Sequence, residues 1–132
     1  MPFYLMRFSY TPDAWAKLIK QPEDRRKVAT ALIESVGGKL HGFWYGFGKH
    51  DGYVLIESPD NVSAAAFSVG IAAGGALQSS ETTVLLTIEE TLEMLQKAQT
   101  LPYRRPGRPR ETRLQRSPLP LNPAWNPGPA RP

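Results

Sequence analysis

The segment from His41 to Glu57 holds both histidines of the chain, two carboxylates and a dense set of aromatic residues. A histidine beside Asp51 or Glu57 suits general-base chemistry, and a lone histidine suits an axial metal ligand. A second reading makes His50 an exposed turn residue and His41 a half-buried sheet residue bonded to backbone. Two histidines without a third ligand at defined spacing are not a metal signature, and no metal site is assigned. Asp51 and Glu57 lie on one strand pattern, where a period of two puts them on the same face as Tyr53 and Leu55. About 20 Å would separate them, too far for a direct acid pair. Asp51 suits fixing the turn after Gly48. A glutamate at a sheet rim must be hydrated or partnered, so Glu57 suits holding a ligand or a neighbouring subunit. Phe43, Trp44, Tyr45 and Tyr53 either line a cavity between facing sheets or pack as core. The candidate ligand-binding residues are therefore His41, Trp44, Tyr45, His50, Asp51, Tyr53 and Glu57.

Several chemistries are excluded. The chain has no cysteine, which removes disulfides, thiolate zinc sites and cysteine nucleophiles. Its serines lack a Gly-x-Ser-x-Gly context. Gly70, Gly74 and Gly75 do not follow a strand and open a helix with a lysine, so neither a P-loop nor a dinucleotide fingerprint is present. The residues specify no cofactor and no reaction.

The elements that must carry these residues are legible along the chain. Residues 3–10 alternate as a strand. Thr11-Pro12-Asp13 opens a helix, with threonine as N-cap and proline at the first helical position. Trp15, Leu18 and Ile19 form its stripe. Pro22 restarts the helical run, and Val28, Ala31, Leu32 and Val36 continue the apolar face until Gly37-Gly38 ends it. Residues 39–47 read as an aromatic strand, and Tyr53–Ile56 as a third. Asp60 caps a helix over Val62–Ala73 whose apolar, alanine-rich composition predicts burial on most of its surface. Residues 82–87 read as a fourth strand, and Thr87 with Glu90 forms a capping box for a last helix. The order β-α-β-β-α-β plus a C-terminal helix predicts an α+β, ferredoxin-like antiparallel sheet with helices on one face. Its other face is rich in apolar residues, which favours pairing with a second chain over a wet surface.

Charge and proline divide the chain near Leu101. Residues 1–100 carry nine Lys/Arg against eleven Asp/Glu, whereas residues 101–132 carry seven arginines against Glu111 alone. Nine of the 13 prolines also fall in that last segment. A domain over 1–100 followed by a disordered, basic, proline-rich tail is the expected organisation. Gly107-Arg108-Pro109 partly resembles an AT-hook core, but Pro106 replaces the arginine that would complete the clamp, so nucleic acid is not the expected partner. Residues 1–10 lack a basic and apolar leader pattern, and the longest small-apolar run, 64–77, is too short to span a bilayer. A cytoplasmic protein without a membrane association is expected.

The stretch from Gly46 to Asp60, Gly-Phe-Gly-Lys-His-Asp-Gly-Tyr-Val-Leu-Ile-Glu-Ser-Pro-Asp, resembles the GYD-domain family of small bacterial proteins. The Gly37-Gly38-Lys39 lead into strand two and the Ala-Ala-Ala-Phe helix ending in glycine resemble it too. The likeness covers about residues 1–98. Gly48, Asp51, Glu57, Pro59 and Asp60 stand at family positions, while His50 replaces the usual tyrosine. The resemblance implies a ferredoxin-like domain similar to dimeric α/β-barrel proteins, with two sheets facing each other around a cavity. The expectation is a small-molecule-binding or regulatory protein that forms a homo-oligomer through its sheet and takes a small apolar or aromatic ligand. The alternatives are a purely structural oligomer, or binding of nucleic acid or an acidic partner through the tail.

Overall fold

Inside and outside alternate without a break along the first strand. In β1 (Phe3–Tyr10), Tyr4, Met6, Phe8 and Tyr10 are buried, and the intervening residues are only partly covered. The structure, a computed structural model, describes residues 1–107. Its remaining elements are α1 (Pro12–Lys20), α2 (Arg26–Ser35), β2 (Lys39–Tyr45), β3 (Gly52–Glu57), α3 (Asn61–Ala73), β4 (Leu77–Leu85) and α4 (Ile88–Gln99). The strands form one antiparallel sheet in the order β2-β3-β1-β4. This is the expected ferredoxin-like α+β arrangement with an added helix. The sheet and α1–α3 belong to a unit ending at Glu93, and a second unit begins at Met94 within α4. The expected disordered tail and the Gly107-Arg108-Pro109 segment lie largely outside the described residues.

Local chemistry explains most element ends. The Thr11 hydroxyl accepts from the Ala14 N–H at 3.1 Å with Pro12 in the first turn, so α1 starts where its cap dictates. The Asp60 carboxylate accepts from the Ser63 N–H at 2.8 Å and caps α3 in the same way. Thr87 and Glu90 bond reciprocally, at 2.9 and 3.1 Å, to open α4. Gly37, at φ 84°, takes the left-handed position that ends α2.

Four expectations are corrected. Pro22 does not restart a helix: α2 begins at Arg26, after Asp24 accepts the Arg26 N–H at 2.9 Å in a local turn. The α2 stripe is rotated, with Ala29 and Ile33 buried, while Val28 and Leu32 are partly exposed. Helix α3 buries only Ala64 and Phe67, because one sheet can cover only one side of a helix, and Val62 and Val69 face outward. Finally, β4 starts at Leu77, five residues earlier than its apolar pattern predicts. Leu77, Ser79, Ser80 and Glu81 pair with β1 at the sheet edge, with Gln78 skipped at a register shift, and exposure there leaves no alternation to read.

The core lies between the sheet and its helices: Met6, Phe8, Val54 and Ile56 from the strands meet Ile33, Ala64 and Phe67 from the helices. Helix α2 closes onto the end of β3 at Gly38, where a Cβ would come within 2.5 Å of the Glu57 carbonyl oxygen and 2.8 Å of Ile33. Backbone cannot yield there as a flexible side chain would. Gly38→Ala is expected to lower stability by about 1–3 kcal/mol, measured by urea denaturation.

Candidate functional site

The sheet has two chemically different faces, and the expected site residues are divided between them. On the face away from α1–α3 stand Phe3, Leu5 and Arg7 of β1 beside Glu57, Leu55 and Tyr53 of β3. A bulge in β2 at His41 sets both His41 and Gly42 opposite Leu55. His41 Nε2 and Glu57 Oε1 meet at 2.6 Å, and the imidazole lies 5.2 Å from the Phe3 ring. The expected backbone partner of His41 is therefore replaced by a carboxylate. Trp44 folds over Gly42, whose missing side chain leaves the space its ring occupies. The ring remains half-exposed. Arg7 Nη2 donates to Glu81 at 3.1 Å and to Thr83 at 2.8 Å across the β1–β4 pair. His50 packs edge-on against Tyr53, and its buried Nδ1 has no hydrogen-bond partner among the described residues.

Asp51 does not share the face of Glu57, which corrects the period-two reading. It precedes β3, outside the pleat that would impose alternation. Its Oδ2 accepts the Tyr10 N–H at 2.9 Å and the Trp15 indole N–H at 3.1 Å, while its own N–H donates to the Phe8 carbonyl at 2.8 Å. The side chain thus joins the end of β1, helix α1 and the β2–β3 connection. Phe43 and Tyr45 also turn toward the helices: Tyr45 lies against Trp15 and Phe43, and its hydroxyl meets that of Tyr10 at 3.0 Å. Burial, reinforced by the Tyr10 bond, pushes the Tyr45 hydroxyl well above the ordinary tyrosine range.

The cavity is on the helix side as well. A space of about 230 Å³ lies between α2, α3 and the sheet, floored by Met6, Phe8 and Val54. Val28 and Leu32 of α2, Gly70 of α3 and Gly74 at the C-cap of α3 line it and are exposed, which marks the mouth between the two helices. Arg25 lines it too, with a third of its side chain exposed. None of the seven residues expected from the sequence lines this space. Tyr45 reaches it only through the Tyr10 hydroxyl, and His41, Trp44, Tyr53 and Glu57 occupy the opposite face. Arg25 and Gly70 carry no motif; the one available signal was a glycine on the inner stripe of an alanine helix.

The model of the GYD domain matches residues 4–95. The chain belongs to the GYD-domain family. Asp51, the His41–Glu57 pair and every residue of the cavity fall inside that match. No protein of curated function matches the chain in sequence. Among solved structures, an uncharacterized NIPSNAP-domain protein from Burkholderia xenovorans is similar at 17% identity, over 66% of this chain and 94% of that one, with a TM-score of 0.42. A transcriptional regulator from Neisseria meningitidis, solved with L-methionine, is similar at 12% identity and a TM-score of 0.43. This match covers 66% of the present chain and about half (51%) of the regulator. FFRP-DM1 is similar at 14% identity, over 65% of this chain and 100% of that one, with a TM-score of 0.42. Among the described residues, no three His, Asp or Glu side chains converge as metal ligands, and no helix is long and apolar enough to cross a membrane.

Removing the Asp51 carboxylate strands a backbone N–H and an indole N–H that it satisfies together. Asp51→Ala is expected to cost about 2–4 kcal/mol in chemical denaturation. Asp51→Asn, which keeps an acceptor oxygen, should recover at least half of that loss.

Proposed function

We propose that this GYD-domain protein binds a small apolar molecule between α2, α3 and the sheet, and assembles through the opposite sheet face. The observation that carries the binding reading is the inner stripe of α3. Phe67 and Ile71 point into the core layer, yet Gly70 and Gly74 on the same stripe contribute no side chain, and nothing lies within 4 Å of where a Gly70 Cβ would stand. Glycine within a helix costs about 1 kcal/mol relative to alanine, so the open space is maintained against helix propensity. Pockets of this kind, apolar with a few polar groups at one end, are typical of small-molecule sites. A cavity near 150 Å³ holds one benzene ring, so about 230 Å³ suits an occupant of roughly nine non-hydrogen atoms.

Assembly rests on the other face. Phe3, Leu5, Trp44, Tyr53 and Leu55 place apolar surface beside the His41–Glu57 pair, and Trp44 is 55% exposed. A second copy covering this face would remove that surface from water and enclose the ion-pairing groups. In this reading His41 and Glu57 serve the interface rather than the ligand.

Octanol, which has nine non-hydrogen atoms, is the simplest probe of the cavity. It should bind wild-type protein saturably in calorimetry and fail to bind Gly70→Leu, whose side chain fills the space. That variant should also melt higher, since leucine is the better helix former by roughly 0.8 kcal/mol. Octanol binding that survives Gly70→Leu counts against the cavity. Sedimentation velocity tests assembly separately: wild type should run as a dimer or larger species, and Leu55→Glu as a folded monomer. A monomeric wild type at micromolar concentration would remove the interface reading.

A further inference from the structure

The polar rim of the cavity is specific enough to name the chemical class of its occupant, granted that the cavity is the binding site. We infer that the ligand is an apolar monocarboxylate, its hydrocarbon portion between α2 and α3 and its carboxylate on Arg25. Arg25 is the one charged residue among the described residues that line the space. Its side chain forms part of the cavity lining while about a third of it remains in solvent, and a long cationic side chain commonly bridges oil and water in this way. Its Nη1 meets the Glu23 carboxylate at 2.9 Å in an exposed pair. A guanidinium has five N–H donors in a planar fork, so most of its capacity remains for a second carboxylate, which it can grip through two parallel bonds. The exposed Glu23 contact is weak and readily exchanged.

The tyrosines at this end of the cavity point to the same class. Tyr10 lines the space, and its hydroxyl shares a hydrogen bond with that of Tyr45 at 3.0 Å. Two hydroxyls joined by one bond use one of their two hydrogens and keep the other for an acceptor. A tyrosine hydroxyl is protonated at physiological pH, so this hydrogen remains a donor, and both Arg25 and Asp24 lie close enough to Tyr45 to act on it electrostatically. The guanidinium and the free hydroxyl hydrogen favour a head group that accepts: a carboxylate uses both, whereas an alcohol satisfies them only in part. The apolar floor of Met6, Phe8 and Val54 offers nothing to a second polar group, which excludes amino acids and dicarboxylates from the deep end.

Octanoate and octanol differ only at the head group, and calorimetry with the full chain separates the two claims. Wild type should bind octanoate at least about tenfold more tightly than octanol. Arg25→Gln should bring octanoate down to the level of octanol while changing octanol by less than about twofold, since the arginine head lies at the exposed rim. Gly70→Leu should bind neither. If wild type binds both equally, or prefers octanoate just as strongly without Arg25, the carboxylate inference falls and the cavity reading stands. If wild type binds neither, both fall.

Discussion

The architecture depends on the way Asp51 is held. A carboxylate at the edge of a core must find donors or stay in water, and here it finds two from different elements, the Tyr10 N–H and the Trp15 indole. Because one acceptor satisfies both, the end of β1 and helix α1 are located by the same atom. The N–H of Asp51 bonds back to Phe8, and its carbonyl accepts the Gly46 N–H, so the β2–β3 connection is tied to the same point. The aromatic cluster of Phe8, Tyr10, Trp15, Phe43 and Tyr45 packs around it with ring centroids 5–6 Å apart.

That cluster in turn positions one end of the cavity. Tyr10 is held in place by its own backbone bond to Asp51, and it presents its hydroxyl to Tyr45 at the rim near Arg25. The other walls follow from side-chain size. Alanine and glycine make α3 thin, which lets it pass close to the sheet at Ala64 and leaves room where Gly70 and Gly74 replace larger side chains. Helix α2 contributes Val28 and Leu32, whose partial exposure follows from their place at the mouth.

The two sheet faces divide the chemistry between them. The helix side combines an apolar floor with a cation and two hydroxyls at one end, an arrangement suited to holding an amphipathic molecule. On the opposite side Arg7 pairs with Glu81 and His41 with Glu57 among aromatic residues, while Arg7 Nε and His50 Nδ1 are buried without a partner among the described residues. Paired charges amid apolar surface are what an interface tolerates, because each arrives with its partner.

The sequence by itself determined the order and number of strands, the caps at Thr11, Asp60 and Thr87, the glycine stop at Gly37 and the family, because each depends on neighbours a few residues apart. The fit of β1 and β3 to their faces was equally legible, since a period of two is set by the backbone. What only the tertiary structure decided was everything that depends on distance in the chain. Asp51 and Glu57 parted company because Asp51 lies outside the pleat and answers to donors on β1 and α1. The rotation of α2 was illegible because Val28, Ala29, Leu32 and Ile33 are all apolar, and only the position of α3 and the sheet selects Ala29 and Ile33 for burial. The polar early half of β4 was missed for a related reason: an exposed edge strand is held by its hydrogen bonds to β1, which leave no trace in hydropathy. The cavity was hidden most completely, since an empty space is made by residues that are absent or small, and no motif marks where three separate elements fail to meet.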